Sequence, residues 1–158
     1  MTTVQTATRG RDLIDHELFD RLAADVARDH GHRLDTAGRI VDQAVVYLVA
    51  CSRTYEPIGP SPLVDHGWHA FILRTADYRS FCETVLGRFV DHYPNDTRPP
   101  ATERARTAAR TLDAVYATGL AVDADMWAQE VPCSSCTDTK DGGDGDGCHK
   151  GCHGSKSK

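Results

Sequence analysis

SPLVDHGWHAFILRTADYRSFCETVLGRFVDHYP, residues 61–94, is the stretch from which the rest of the chain can be read. Ser61 has the chemistry of a helix N-cap, and Pro62 stands at the first helical position, where a missing N–H costs nothing. Apolar residues then recur at Val64, Trp68, Phe71 and Ile72, the helical period. Asp65 and His69 lie in the same stripe four residues apart, so both side chains leave one face of the predicted helix a turn apart. A carboxylate and an imidazole among residues expected to be buried need partners, because burying either alone is unfavourable.

Beyond Arg74 the period shifts. Thr75 is predicted to cap a fourth helix running to about residue 90, with Tyr78, Phe81, Cys82, Val85, Leu86 and Phe89 buried, before Pro94 stops it. Upstream, TYEPIGPSP (54–62) is a break with three prolines and a glycine. The stretch before it, 35–51, is the most apolar of the chain and is predicted to be the central helix, with Asp42 and Gln43 facing solvent and Cys51 a buried thiol. A first helix over 15–30 has Asp15 as its N-cap, Leu18, Leu22 and Val26 on one face, and Gly31 as its stop. His30 and His32 flank that stop and are expected in solvent, favoured there by the helix dipole.

Downstream, NDTRPP is a turn, and 101–118 reads as a fifth helix with Ala105, Ala108, Leu112, Val115 and Tyr116 inward. A turn at 123–129 should bring Met126 and Trp127 back over the core. With no β period of useful length, the expected architecture is all-α, a small bundle of about five antiparallel helices over 13–131. A loose N-terminus (1–12) precedes it. A polar, disordered Cys/His/Gly-rich tail (132–158) follows, too poor in apolar residues to offset its own ordering entropy.

The 158 residues suffice for one core without staples, and 26% charged residues is ordinary for a globular chain. Four Lys and four Asp cancel in the last 26 residues, so the whole net charge of −5 lies before Cys133. Neither part has the basic footprint that phosphate contacts require, which argues against a nucleic-acid partner. No run reaches the ~18 apolar residues of a membrane span, and the start lacks a secretory apolar region. The expectation is a cytoplasmic protein with reduced thiols.

Two places could carry chemistry. On the first, Asp65 and His69 can converge on one ion, with His92 as a third ligand and Asp91 as a fourth if the third and fourth helices form a hairpin. Two imidazoles and a carboxylate with open positions suit Fe(II) or catalytic Zn(II). Trp68, Tyr78, Phe81 and Cys82 would wall the site, and Cys82 could instead add sulfur. The plain alternative is a buried Asp–His pair, or Asp65 bonded to Trp68 or backbone, with His92 capping a helix and His66 partly exposed. The second place is Cys133-x2-Cys136 with Cys148-His149-x2-Cys152-His153 in the tail, a zinc-like inventory whose second pair is irregularly spaced. Neighbouring lookalikes fail: Asp144-x-Asp146-Gly147 lacks an EF-hand's first and last acids, and Cys148-x3-Cys152-His153 is one residue longer than a c-type haem site. No phosphate loop, G-x-S-x-G elbow or H-E-x-x-H is present.

Residues 60–94 resemble the glycine-rich domain-containing protein-like family of plants and bacteria. Pro60, Ser61, Val64, Asp65, Trp68, His69, Thr75, Tyr78, Phe81, Cys82, Gly87, Phe89, His92 and Pro94 fall on its pattern. The resemblance implies the helical domain and sharpens the Asp/His site, and it implies no reaction. The family ends this stretch with two histidines where this chain has Asp91-His92, and its bacterial members often carry a comparable Gly/Cys-rich tail. The leading expectation is therefore a metal-binding helical domain. The alternatives are a protein-interaction module with a metal-buffering tail, and an iron- or zinc-dependent enzyme.

Overall fold

A computed structural model of the chain describes residues 7–93, 97 and 99–128. Among these residues it is all-α, with helices α1 (His16–His30), α2 (Leu34–Arg53), α3 (Pro62–Leu73), α4 (Thr75–Phe81) and α5 (Ala101–Tyr116), and no strands. None of these helices is long and apolar enough to cross a membrane.

The caps of α1 and α3 form as the sequence implies, whereas α4 has Arg74 and not Thr75 at its N-cap, with no side-chain cap bond. The Asp15 side chain accepts from the Glu17 and Leu18 N–H groups, and Gly31 closes α1 at φ +70°. There a residue without Cβ is favoured. Ser61 accepts from the Val64 N–H and donates to the Met126 carbonyl, so one buried hydroxyl both caps α3 and anchors the turn Ala124–Trp127.

α2 is the central helix. Every residue from Ile40 to Cys51 is buried, with α1, α3 and α5 packed around it. This overturns the solvent-facing expectation for Asp42 and Gln43, which are 2% and 1% exposed. The side they occupy is covered by two short turns that periodicity does not reveal, Gly10–Leu13 and Ala124–Trp127. Asp42 accepts the Arg11 N–H at 2.9 Å and the Gln43 amide at 2.9 Å. Gln43 Nε2 also donates to Ala121 O, while Oε1 accepts from Asp123 N and Trp127 Nε1. Both donors and both acceptor sites of the amide are thus used.

The expected looseness of the N-terminus does not extend through residues 8–12. Thr8 O accepts from Ala121 N, and Gly10 lies where a Cβ would run into the Asp42 carbonyl oxygen. Arg39 forks onto Asp123 at 2.6 and 2.9 Å and reaches Asp125, which holds the Asp123 carboxyl below its usual range.

α3 crosses α2 closely at Gly67, where an added Cβ would stand 2.8 Å from Ala44 Cβ and 3.0 Å from Ile40 O. Two other expectations need correction. The fourth helix ends at a π turn, Cys82–Leu86, closed by Gly87 at φ +72°, instead of continuing to residue 90. A π turn accommodates an extra residue and slips the face by about 100°. Tyr78, Phe81 and Cys82 are accordingly buried, while Val85 and Phe89 are exposed. On α5 the buried residues are Thr111 and Val115, with Ala105 and Tyr116 outside. The Thr111 hydroxyl is drawn inward because it accepts from Gly59 N and lies 3.0 Å from Gly59 O.

Two substitutions test this packing. Gln43→Leu strands the Trp127 indole N–H and the Asp123 N–H and should cost about 2–4 kcal/mol in urea unfolding; a loss under about 1 kcal/mol would deny the amide its role. Gly67→Ala gains helix propensity but forces α2 and α3 apart, for a net loss of about 1–2 kcal/mol by the same measurement.

Candidate metal centre

Asp65 and His69 leave the first two turns of α3, and His92 reaches them from the segment after Gly87. One ligand atom from each of the three lies within 4.8 Å of the others. Asp65 Oδ2 is 3.2 Å from His69 Nδ1, and Oδ1 is 3.4 Å from His92 Nε2. The imidazole centroids are 4.5 Å apart. His69 Nδ1 also stands 2.9 Å from the Asp65 carbonyl oxygen. A carbonyl only accepts, so that bond places the proton on Nδ1 and the lone pair on Nε2.

The triad is not inward-facing, as the stripe argument expected. The His69 side chain is 50% exposed, Asp65 34% and His92 19%. The helix is buried through Val64, Gly67, Trp68 and Phe71, and the Asp65–His69 edge lies at the rim of that face. Asp91 is exposed and does not belong to the convergent group.

Of the four expected wall residues, Trp68 contributes directly, its ring 4.4 Å from that of His92. Tyr78 acts one layer down: its hydroxyl accepts from Trp68 Nε1 at 3.0 Å and donates to Val90 O at 2.6 Å. Since Val90 is two residues before His92, this relay fixes where the imidazole is delivered. Phe81 packs on Phe71, and Cys82 is a fully buried core thiol. Burial likewise pushes the Cys51 thiol up to about 11, which leaves it protonated and inert at neutral pH. The tail candidates Cys133, Cys136, Cys148, Cys152, His149 and His153 lie outside the described residues.

A grouping that sequence reasoning missed stands beside the triad. His30 and His66 stack with centroids 3.6 Å apart and planes 8° from parallel, and His32 Nε2 is 3.4 Å from His66 Nδ1. Burial first, then the charge of His30, lowers the pKa values of His32 and His66. The His-Gly-His pattern at the end of α1 was visible; its partner 34 residues away was not, because only the α1–α3 packing joins them.

Tyr78→Phe removes the acceptor of the Trp68 indole and the donor to Val90 O together. It should cost about 1–3 kcal/mol and broaden the His92 ring signals in NMR spectra. Unchanged His92 signals would show that the relay does not position the ring.

No curated protein and no solved structure matches the chain. Residues 9–117, from the first turn through the end of α5, match an uncharacterised family. The five-helix domain bearing the Asp65, His69 and His92 group therefore belongs to the UCP032817-like family.

Proposed function

We propose that the domain binds a divalent metal ion through Asp65, His69 and His92. The observation that carries this reading is one carboxylate set between two imidazoles at 3.2 and 3.4 Å. These separations exceed the about 2.7–2.9 Å of a charge-assisted N–H···O bond. The Asp65 Oδ1 to His92 Nε2 separation suits two ligands of one ion, since atoms about 2.0–2.1 Å from a tetrahedral zinc lie about 3.3–3.4 Å apart, and one ligand atom from each of the three residues lies within 4.8 Å of the others. Binding through His69 Nε2 retains the Nδ1–H bond to the Asp65 carbonyl, the usual way a metal-bound imidazole is held in one tautomer. Two imidazoles and one carboxylate leave coordination positions open, which fits Fe(II) or Zn(II) and gives any enzymatic activity its place.

A second reading is favoured by the exposed Phe89 and Tyr93, which flank His92 on its own segment. In it the domain is a protein-interaction module, Asp65 clasps the segment through His92, and the tail buffers metal. The kinship with the glycine-rich domain-containing protein-like family belongs to the proposal as well and rests on the residues of 60–94 already named.

The readings separate in a full-length chain purified without a His-tag and carrying Cys133→Ser, Cys136→Ser, Cys148→Ser, Cys152→Ser, His149→Asn and His153→Asn. Metal binding at the triad predicts an equivalent of zinc or iron by elemental analysis that is lost in His92→Ala and in His69→Ala. If neither substitution removes an equivalent and His92→Ala only lowers stability by about 1–3 kcal/mol, the clasp reading holds.

A further inference from the structure

Three more imidazoles meet where α1 ends. Gly31 at φ +70° turns the chain so that His30 and His32 straddle it, and His66 reaches them from the second turn of α3. As a set of bases bonded to one another the group is poorly satisfied. The His32 Nε2 to His66 Nδ1 separation of 3.4 Å lies beyond the about 2.7–3.2 Å of protein N–H hydrogen bonds. It equals the edge of a tetrahedron around zinc, about 3.3–3.4 Å for nitrogens about 2.0–2.1 Å from the ion.

We propose that His32 and His66 chelate a borderline divalent cation such as Zn(II), with His30 as third ligand, at a site separate in its ligands from the Asp65 triad. His30 lies flat on His66 and must turn edge-on to bind, a rotation open to an exposed side chain. The carbonyl end of α1, the negative end of its dipole, adds attraction for a cation. Imidazole nitrogens without sulfur select the borderline metals over magnesium and calcium. Because His66 and Asp65 are adjacent on α3, the two sites sit side by side on one helix while drawing on different parts of the chain, the end of α1 for one and the segment after Gly87 for the other.

The test uses the full-length, tail-substituted chain with His69→Ala and His92→Ala added, titrated with zinc chloride. One equivalent should bind calorimetrically and move the His32 and His66 ring nitrogens in long-range 1H–15N spectra, and adding His66→Ala should abolish it. No bound zinc, or binding that leaves those ring nitrogens unmoved, overturns the proposal. Should circular dichroism show that the combined variant does not fold, the same ring-nitrogen readout in the tail-substituted chain with its triad intact decides: movement supports the site, none overturns it. Failure of the triad alone would leave zinc on His32 and His66, and failure of this site alone would leave it on His69 and His92.

Discussion

A helix buried on all sides must satisfy every polar side chain it carries, and α2 carries Asp42 and Gln43 where no water can help them. An unpaired amide or carboxylate there would remove a large part of the stability of a domain this size. The fold answers by bringing two distant pieces of chain to that spot. The 10–13 turn presents the Arg11 N–H to Asp42, and the 121–127 segment presents Ala121 O, Asp123 N and the Trp127 indole to Gln43. Once Trp127 and Met126 are placed, the Met126 carbonyl accepts from Ser61, and Ser61 sets the start of α3. The direction in which Asp65 and His69 leave the bundle thus traces back to a buried amide on another helix.

The other half of the candidate metal centre depends on an interruption. Had the fourth helix continued to residue 90, His92 would have been delivered at a helix end on the far side of a longer rod. The π turn and Gly87 stop it one turn past Cys82, and extended chain carries the imidazole back over Trp68. Tyr78 makes that return definite by holding Trp68 and Val90 with one hydroxyl. π turns are frequent at functional sites because they change the direction of a helix face without breaking the helix outright.

The sequence carried most of the helices because they are announced locally: Asp15 and Ser61 as caps, Gly31 as a stop, and an apolar run that placed α2 at the centre. What it did not carry depends on contacts across the fold. Asp42 and Gln43 are polar on a helix, and only the turns that cover them make them interior. Thr111 is buried in preference to Ala105 because its hydroxyl meets Gly59, which no periodicity encodes. At the candidate site the i, i+4 spacing of Asp65 and His69 was legible, and so was His92 as their partner. Their half-open setting was not, since the stripe argument treats a helix face as wholly in or wholly out. The pairing of His66 with His30 and His32 needed the α1–α3 contact itself.

That half-open setting bears on what a bound ion could do. Structural zinc sites are four-coordinate and closed, and their ligands are commonly sulfur-rich and shielded. Here Trp68 shields the His92 side while the His69 side chain stands half in solvent. An ion on these three ligands would complete its coordination with water on the His69 side. Water ligands exchange and can be displaced by a substrate or a partner's side chain, and a tryptophan on the opposite wall raises the local strength of charge without blocking access. Phe89 and Tyr93, on the same segment as His92, are exposed as well. A metal bound there with displaceable waters would be open to another molecule, which would make a purely structural role the least natural use of this geometry.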